Sequence, residues 1–260
     1  MDTRFWGPSG WKLLHLITYG YPINPTLQQK QDFGLFFNAL KYILPCKYCR
    51  KSLEKFYKQL PIQEHLSSKE TLTTWFFEIH NKVNNKLRRQ GLVKTSNPKK
   101  KDIDIIYETM INEPCKIPGW DFLYCMVFNF PKDKESLPFD RINGYITFFN
   151  YIGRVIPCKP YAVEFKKLIK IDPIQNNLDT NKKIIDWLYR INCKIDSKMG
   201  ETKKSFNRVC AIYNSHKAIA CSKKSHKGKR TCRISNKKLS KRNKLMSRKN
   251  SKHKFNHFIS

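Results

Sequence analysis

The stretch "ILPCKYCRKSLEKF", residues 43–56, sets two thiols three positions apart, Cys46 and Cys49. A C-x-x-C pair can be half a metal site, a structural staple or a redox couple. A structural zinc site takes four ligands from two clusters, and no second C-x-x-C or H-x-x-x-H lies nearby, so no metal is expected. A thioredoxin-like pair would sit between strand and helix, whereas these flanks have helical period and lack Trp-Cys-Gly-Pro surroundings. What remains is a pair entering a helix, where backbone N–H groups and the dipole favour a thiolate. Pro45 before it, and Lys47, Arg50 and Lys51 around it, push the same way. A low thiol pKa and fast disulfide exchange are the expectation.

Two further stripes have types and spacings that could do chemistry. Trp11, His15 and Tyr19 recur every fourth residue, which puts an indole, an imidazole and a phenol on one helix face. His80, Asn84 and Leu87 share another face, with Asn81 and Val83 beside it. Such mixed stripes are poor core material, because each buried polar atom needs a partner. A flat heteroaromatic cofactor would supply partners for all of them. A single His or aromatic residue on an apolar face is more often ordinary core.

The elements that must position these groups read as all-α. Ser9 can cap a first helix stopped by "YPINPT", and "LQQKQDFGLFFNALKYIL" forms a second ending before Pro45. A third runs from the Cys pair to Pro61, and a fourth starts near Ser67 or Ser68 and continues to Gly91. Four helices around one core are the economical arrangement. "KTSNPKKKD", 94–102, reads as a linker.

The following region resembles a worn copy of the first. "GWKLLHLITYGYP" (10–22) aligns with "GWDFLYCMVFNFP" (119–131) at a shift of 109 residues. "LFFNALKYILPCKYC" (35–49) aligns with "TFFNYIGRVIPCKPY" (147–161), and "TWFFEIHNKVN" (74–84) with "DWLYRINCKID" (186–196), both at 112. Trp11, Trp75, Pro22 and Pro45 keep counterparts, whereas His15 becomes Tyr124, Cys49 becomes Tyr161, His80 becomes Asn192 and Asn81 becomes Cys193. The expected organisation is a domain at 1–93, the linker at 94–102, a degenerate pseudo-domain at 103–199 that docks on the first, and a basic tail of low order at 200–260.

With 40% hydrophobic and 13% aromatic residues among 260, the chain can bury a sizeable core. The net charge of +31 is concentrated at the end, where 201–260 carry nineteen Lys or Arg against one acid, Glu201. That tail repels itself and suits an anionic partner such as nucleic acid or an acidic surface. Its Cys210, Cys221 and Cys232 recur every eleven residues, with His216 and His226 between; a shuttle disulfide, a metal site and incidental cysteines are the alternatives, and the last is favoured. No secretory signal is visible, so export is not expected, and the longest apolar runs are too short to span a bilayer. Nine cysteines in a chain that stays in a reducing compartment point to electron transfer.

"GWKLLHLITYGYP", "PCKYC" and "WFFEIHNKVNNKL", in that order, resemble the three signatures of the Erv/ALR FAD-linked sulfhydryl oxidases: Trp-x-x-x-His ending in Tyr-Pro, the redox C-x-x-C, and His-Asn-x-Val-Asn-x-x-Leu. The resemblance covers residues 6 to 92 and implies a helical bundle holding FAD beside the Cys pair. It implies that Cys49 is the thiol next to the flavin and Cys46 the one that exchanges with incoming thiols. Trp11, His15 and Tyr19 would line FAD from the first helix, and His80, Asn81, Val83, Asn84, Lys86 and Leu87 from the fourth. Pro8 stands where many members have a phosphate-contacting Arg, which Arg4, Lys86 or Arg89 would replace; Thr73 and Phe77 stand where structural cysteines are expected. The resemblance further implies oxidation of protein thiols with O2 as acceptor and H2O2 as product, and a pseudo-dimer or homodimer. The composition and appended domain resemble the oxidases of giant DNA viruses, which implies cytosol or virion. The competing readings are a scaffold or nucleic-acid-binding protein acting through its tail, and a disulfide isomerase without flavin.

Overall fold

The computed structural model describes residues 1–113 and 118–217. Cys115, Cys221, His226 and Cys232, and the tail expectation for 218–260, lie outside the described residues. Within them the chain forms ten α-helices and no strand, in agreement with an all-α reading. α1 is Thr3–Tyr19, α2 Leu27–Ile43, α3 Lys47–Gln59, α4 Lys69–Arg89 and α5 Lys100–Ile111. α6 is Trp120–Phe128, α7 Phe139–Val155, α8 Lys159–Ile171, α9 Asn181–Lys198 and α10 Phe206–Ser215.

Local chemistry sets most boundaries. α2 begins in a capping box between Thr26 and Gln29, and α4 in one between Ser68 and Thr71. α4 ends in a Schellman motif: Gly91 takes a φ of 64°, and Leu92 N–H returns to the Leu87 carbonyl at 2.9 Å. The first helix departs from expectation, because Asp2 rather than Ser9 caps it and Pro8 lies inside. Ser9 Oγ instead donates to the Pro118 carbonyl at 2.7 Å. Asp2 outcompetes it by accepting from Arg4 N–H at 2.9 Å, while Pro8 removes only one helical bond near the helix start.

One core runs through both halves of the molecule, with Phe36, Phe37, Trp75, Phe148, Phe149 and Trp187 fully buried. Equivalent positions of the two aligned segments meet each other there. Phe36 stacks on Phe148, its own counterpart at the 112 shift, with centroids 4.7 Å apart. Asp32 pairs with Arg154 at 3.3 Å, while their counterparts Gly144 and Tyr42 abut one another. On α1 and α6 a Cβ at Gly10 would meet Phe122 at 2.9 Å, and one at Gly119 would strike Leu13, again a reciprocal pair at the 109 shift. Trp75 Nε1 donates to the Leu60 carbonyl and Trp187 Nε1 to that of Asp172, both at 2.9 Å and at matching positions.

Two elements lie elsewhere than the sequence pattern suggested. α5 opens inside the expected linker and packs on α1, burying Ile103 and Tyr107 against Leu16 and Tyr19. α10 falls in the stretch expected to be low-order tail, yet it is folded, with Val209 and Tyr213 buried. The two helices are counterparts: Tyr107 stacks on His15 and Tyr19, and Tyr213 stacks on Tyr124 and packs tilted against Phe128, the residues equivalent to them. Each half is thus five helices rather than four.

Candidate active site

Cys46 is the N-cap of α3. Its extended backbone, φ −146° and ψ 118°, turns the Sγ back over the first turn, where it accepts from Cys49 N–H at 3.3 Å. Arg50 Nη1 donates to the Leu44 carbonyl at 2.6 Å and Arg141 Nε, from α7, to that of Tyr42 at 3.1 Å, fixing the end of α2 that launches the Pro45–Cys46 turn. Cys46 is buried, at 1% exposure, and Cys49 half-buried.

The expected low thiol pKa does not hold for Cys49. Its hydrogen bond to Cys46 and its burial push the thiol well above the ordinary range, against smaller opposing effects of Lys86 and Arg50. The helix N-terminus favours charge on the sulfur it caps, which is Cys46, and the neighbouring thiol then serves as donor.

Cys49 faces a cavity of about 610 Å³ enclosed by α1, α3 and α4. Of the other sequence-predicted residues, Trp11, Val83, Lys86 and Leu87 line it too. Its walls carry Arg4, Lys12 and Lys86 and no acid, although Arg4 also pairs with Asp2 at 2.8 Å. Pro8 lines the cavity with Arg4 one helical turn before it, whereas Arg89 does not reach it. Lys86 Nζ donates to Ser52 Oγ at 2.7 Å. Ser52, Lys12 and Phe122 are lining residues that no spacing rule singled out, and Phe122 comes from the other half of the chain.

His15, Tyr19, His80, Asn81 and Asn84 are not on the cavity wall; they continue from it. Trp11 stacks on His80 at 3.7 Å and 10°, His80 Nδ1 and His15 Nε2 are 3.0 Å apart, and His15 stacks on Tyr107 at 4.8 Å. Tyr19 ends the row under α5, with its hydroxyl donating to Asp104 Oδ1 at 2.6 Å. Burial lowers both imidazoles, His80 to about 3 and His15 well below the usual range, with His80 and Lys100 adding to the latter. Both rings are neutral near pH 7, so one shared N–H leaves one donor and one acceptor pointing outward, whichever tautomer holds.

Those outward atoms have no partner among the described residues. His15 Nδ1, His80 Nε2, Asn81 Oδ1 and Asn84 Oδ1 are all buried and unsatisfied. Four such atoms on α1 and α4, the helices that also wall a cation-rimmed aromatic cavity, match an anionic ligand with a polar ring edge. The corresponding place in the other half is chemically different: Tyr161 replaces Cys49, and Cys158, the counterpart of Cys46, is held in a disulfide. Among the described residues no cluster could hold a metal ion.

A sequence model described as the Erv1 / Alr family matches residues 8–103 and 118–217. The chain is 39% identical over 111 residues to a probable FAD-linked sulfhydryl oxidase of Acanthamoeba polyphaga mimivirus, covering 39% of this chain and 78% of that protein. It is 42% identical over 88 residues to the mitochondrial FAD-linked sulfhydryl oxidase ERV1 of Saccharomyces cerevisiae, covering 34% of this chain and 46% of the relative. A putative FAD-linked sulfhydryl oxidase of Invertebrate iridescent virus 6 is 32% identical over 92 residues, 34% of this chain and 83% of that protein. With its motifs, its helical architecture and both matched segments in agreement, the chain belongs to the Erv1/Alr family.

Proposed function

We propose that this chain is an FAD-linked sulfhydryl oxidase that forms disulfides in protein substrates and passes the electrons to O2, with H2O2 as product. The observation that carries the reading is Cys49 on the wall of the cation-rimmed cavity, beside Trp11, Val83, Lys86 and Leu87. The residues present fit FAD: the cations suit its diphosphate, the aromatic wall its rings, and the unsatisfied His and Asn atoms its polar edges. Bound FAD supplies a two-electron path from dithiol to O2, so that R(SH)2 and O2 give RS2 and H2O2.

The chain's own residues handle the sulfur chemistry. With Cys46 and Cys49 joined as a disulfide, a substrate thiolate attacks Cys46 Sγ and releases Cys49 as the leaving sulfur. Lys86 and Arg50 lie close enough to favour the anion that Cys49 becomes. The second substrate thiol then closes the substrate disulfide and returns Cys46 as a thiol. Because Cys46 is 1% exposed, this exchange requires the Pro45 turn and the segment over it to open.

The second half acts as a covalently attached, redox-inactive partner, giving a pseudo-dimer with one flavin. This is supported by the reciprocal contacts of α1 with α6 and α2 with α7, which have the form of a two-fold interface. The proposed boundaries are those drawn from the sequence, moved by one helix so that α5 belongs to the first unit and α10 to the second. The basic end of the chain holds an anionic partner while the helices do the chemistry, in the cytosol or virion of a large DNA virus. No helix among the described residues is long and apolar enough to cross a membrane.

The test is direct. Purified chain should be yellow and consume O2 with a dithiol, and Cys49→Ser should keep the colour and lose the consumption. A colourless, folded preparation that binds polyanions would favour the scaffold reading instead.

A further inference from the structure

The second half has a cavity of about 320 Å³ that shares only two wall positions with the first, Trp120 for Trp11 and Tyr161 for Cys49, and otherwise lies at the counterparts of the His80, Asn81 and Asn84 row. Its wall is aromatic too, but from other positions: Trp120 and Tyr124 of α6, Tyr189 of α9 and Tyr213 of α10 line it. The charged groups are inverted. Where the first cavity has Arg4, Lys12 and Lys86 and no acid, the second has Asp196 and Glu201, with Lys204 at the same wall. Asp196 is the counterpart of the amide Asn84, and Tyr161 stands where Cys49 does.

Two polar atoms in this cavity, the Tyr161 hydroxyl and Asp196 Oδ2, have no hydrogen bond among the described residues. Tyr161 is a buried residue, at 3% exposure, with no hydrogen bond from its hydroxyl among the described residues, although the phenol feels both Glu201 and Asp196. Asp196 Oδ1 accepts from Asn192 Nδ2 at 2.8 Å, which Tyr124 in turn fixes by donating to Asn192 Oδ1 at 2.9 Å, and Asp196 Oδ2 is left over. Tyr189 is held in place by donating to the Lys204 carbonyl at 3.0 Å. Burial and then Glu201 raise the Asp196 carboxyl, against Asn192, Lys204 and Lys203.

We infer that the second cavity is a binding site for an aliphatic ammonium group, from a free polyamine or a lysine side chain. The ammonium donates to Asp196 Oδ2 and the Tyr161 oxygen, and the Trp120, Tyr124 and Tyr189 rings enclose it as an aromatic cage does. FAD is excluded there by the carboxylates, which would face its diphosphate, and by the phenol in place of the reactive sulfur. The inference does not rest on the oxidase reading, because no residue of the first cavity takes part.

The experiment is calorimetric titration of the full, flavin-loaded chain with spermidine, with N-acetyl-lysine methylamide, and with N-acetyl-norleucine methylamide as the uncharged control. Saturable binding of one or both amines, and none of the control, is expected; spermidine alone would identify a free polyamine, and the lysine derivative a side chain. Asp196→Asn should weaken binding about tenfold or more, since a charge-assisted hydrogen bond is removed. Tyr161→Phe serves as a second variant that keeps ring and packing, and should weaken it less. The flavin spectrum and dithiol turnover should be unchanged in both. Absence of saturable amine binding, or equal affinity in Asp196→Asn with an unchanged melting temperature, overturns the inference.

Discussion

At the scale of single residues, one imidazole pair links the site to stability. His15 and His80 are buried, 3.0 Å apart, and neutral because burial disfavours the cation. Their folded-state pKa values lie below the unfolded value of about 6.5, so the unfolded chain binds more protons in between. Stability is therefore intact above pH 6.5 and falls as the pH drops toward the folded value, about 3 for His80. His80→Gln should flatten the fall of the melting temperature between pH 7 and about pH 4 relative to the parent chain. Identical slopes in the two proteins would show that the pair is not held neutral. The division of labour between the two sulfurs is equally local: an N-cap position takes the helix N–H groups, and only Cys46 has it.

At the scale of elements, the two glycines at the α1–α6 crossing set how closely the helices approach. A Cβ at Gly10 would come within 2.9 Å of Phe122, whose ring could move only by leaving its stack on Trp6, with centroids 5.7 Å apart, or by entering the cavity. Gly10→Val should therefore destabilise the fold by about 1–3 kcal/mol in urea unfolding, an overpacking cost. It should also reduce flavin content, since Gly10 and Phe122 both line the cavity. Gly7→Ala offers the control on the same helix, because nothing lies within 4 Å of its added methyl. Its effect on unfolding should be a stabilisation of about 0.5–1 kcal/mol, as for Gly to Ala in a helix.

For the whole molecule, the proposed pseudo-dimer has the consequence that the α2 face that would pair two chains is already covered by α7. α2 and α7 meet through Phe36 and Phe148 and through Asp32 and Arg154, and little of that surface remains to recruit a second chain. Sedimentation of the flavin-loaded chain should give a monomer, with one flavin per polypeptide; a dimer with two would overturn the pseudo-dimer. The charge of +31 predicts a separate, salt-dependent property. Polyanion binding should weaken steeply between about 50 and 200 mM salt, while dithiol turnover with a small substrate changes little.

Much of this was legible in the residues. Ordered motifs, the collinear repeat and the position of the Cys pair at a helix start follow from spacing alone, because helical period and N-cap geometry are local properties. The sequence also named Cys49, Trp11, Val83, Lys86 and Leu87, which converge on the cavity because they lie on inward faces of three helices. Only the tertiary structure decided that Asp2 caps α1, that α5 and α10 close their own units, and that Phe122 and Arg141 reach the first site from the second half. The cap is local and lost to the stronger pull of the Ser9 pattern, but the others depend on contacts between residues about 90 to 110 positions apart, whose free energy comes from packing and leaves no periodic trace in the chain. The same holds for the burial of Cys46 and the raised thiol of Cys49, which follow from what covers a sulfur rather than from its neighbours in sequence.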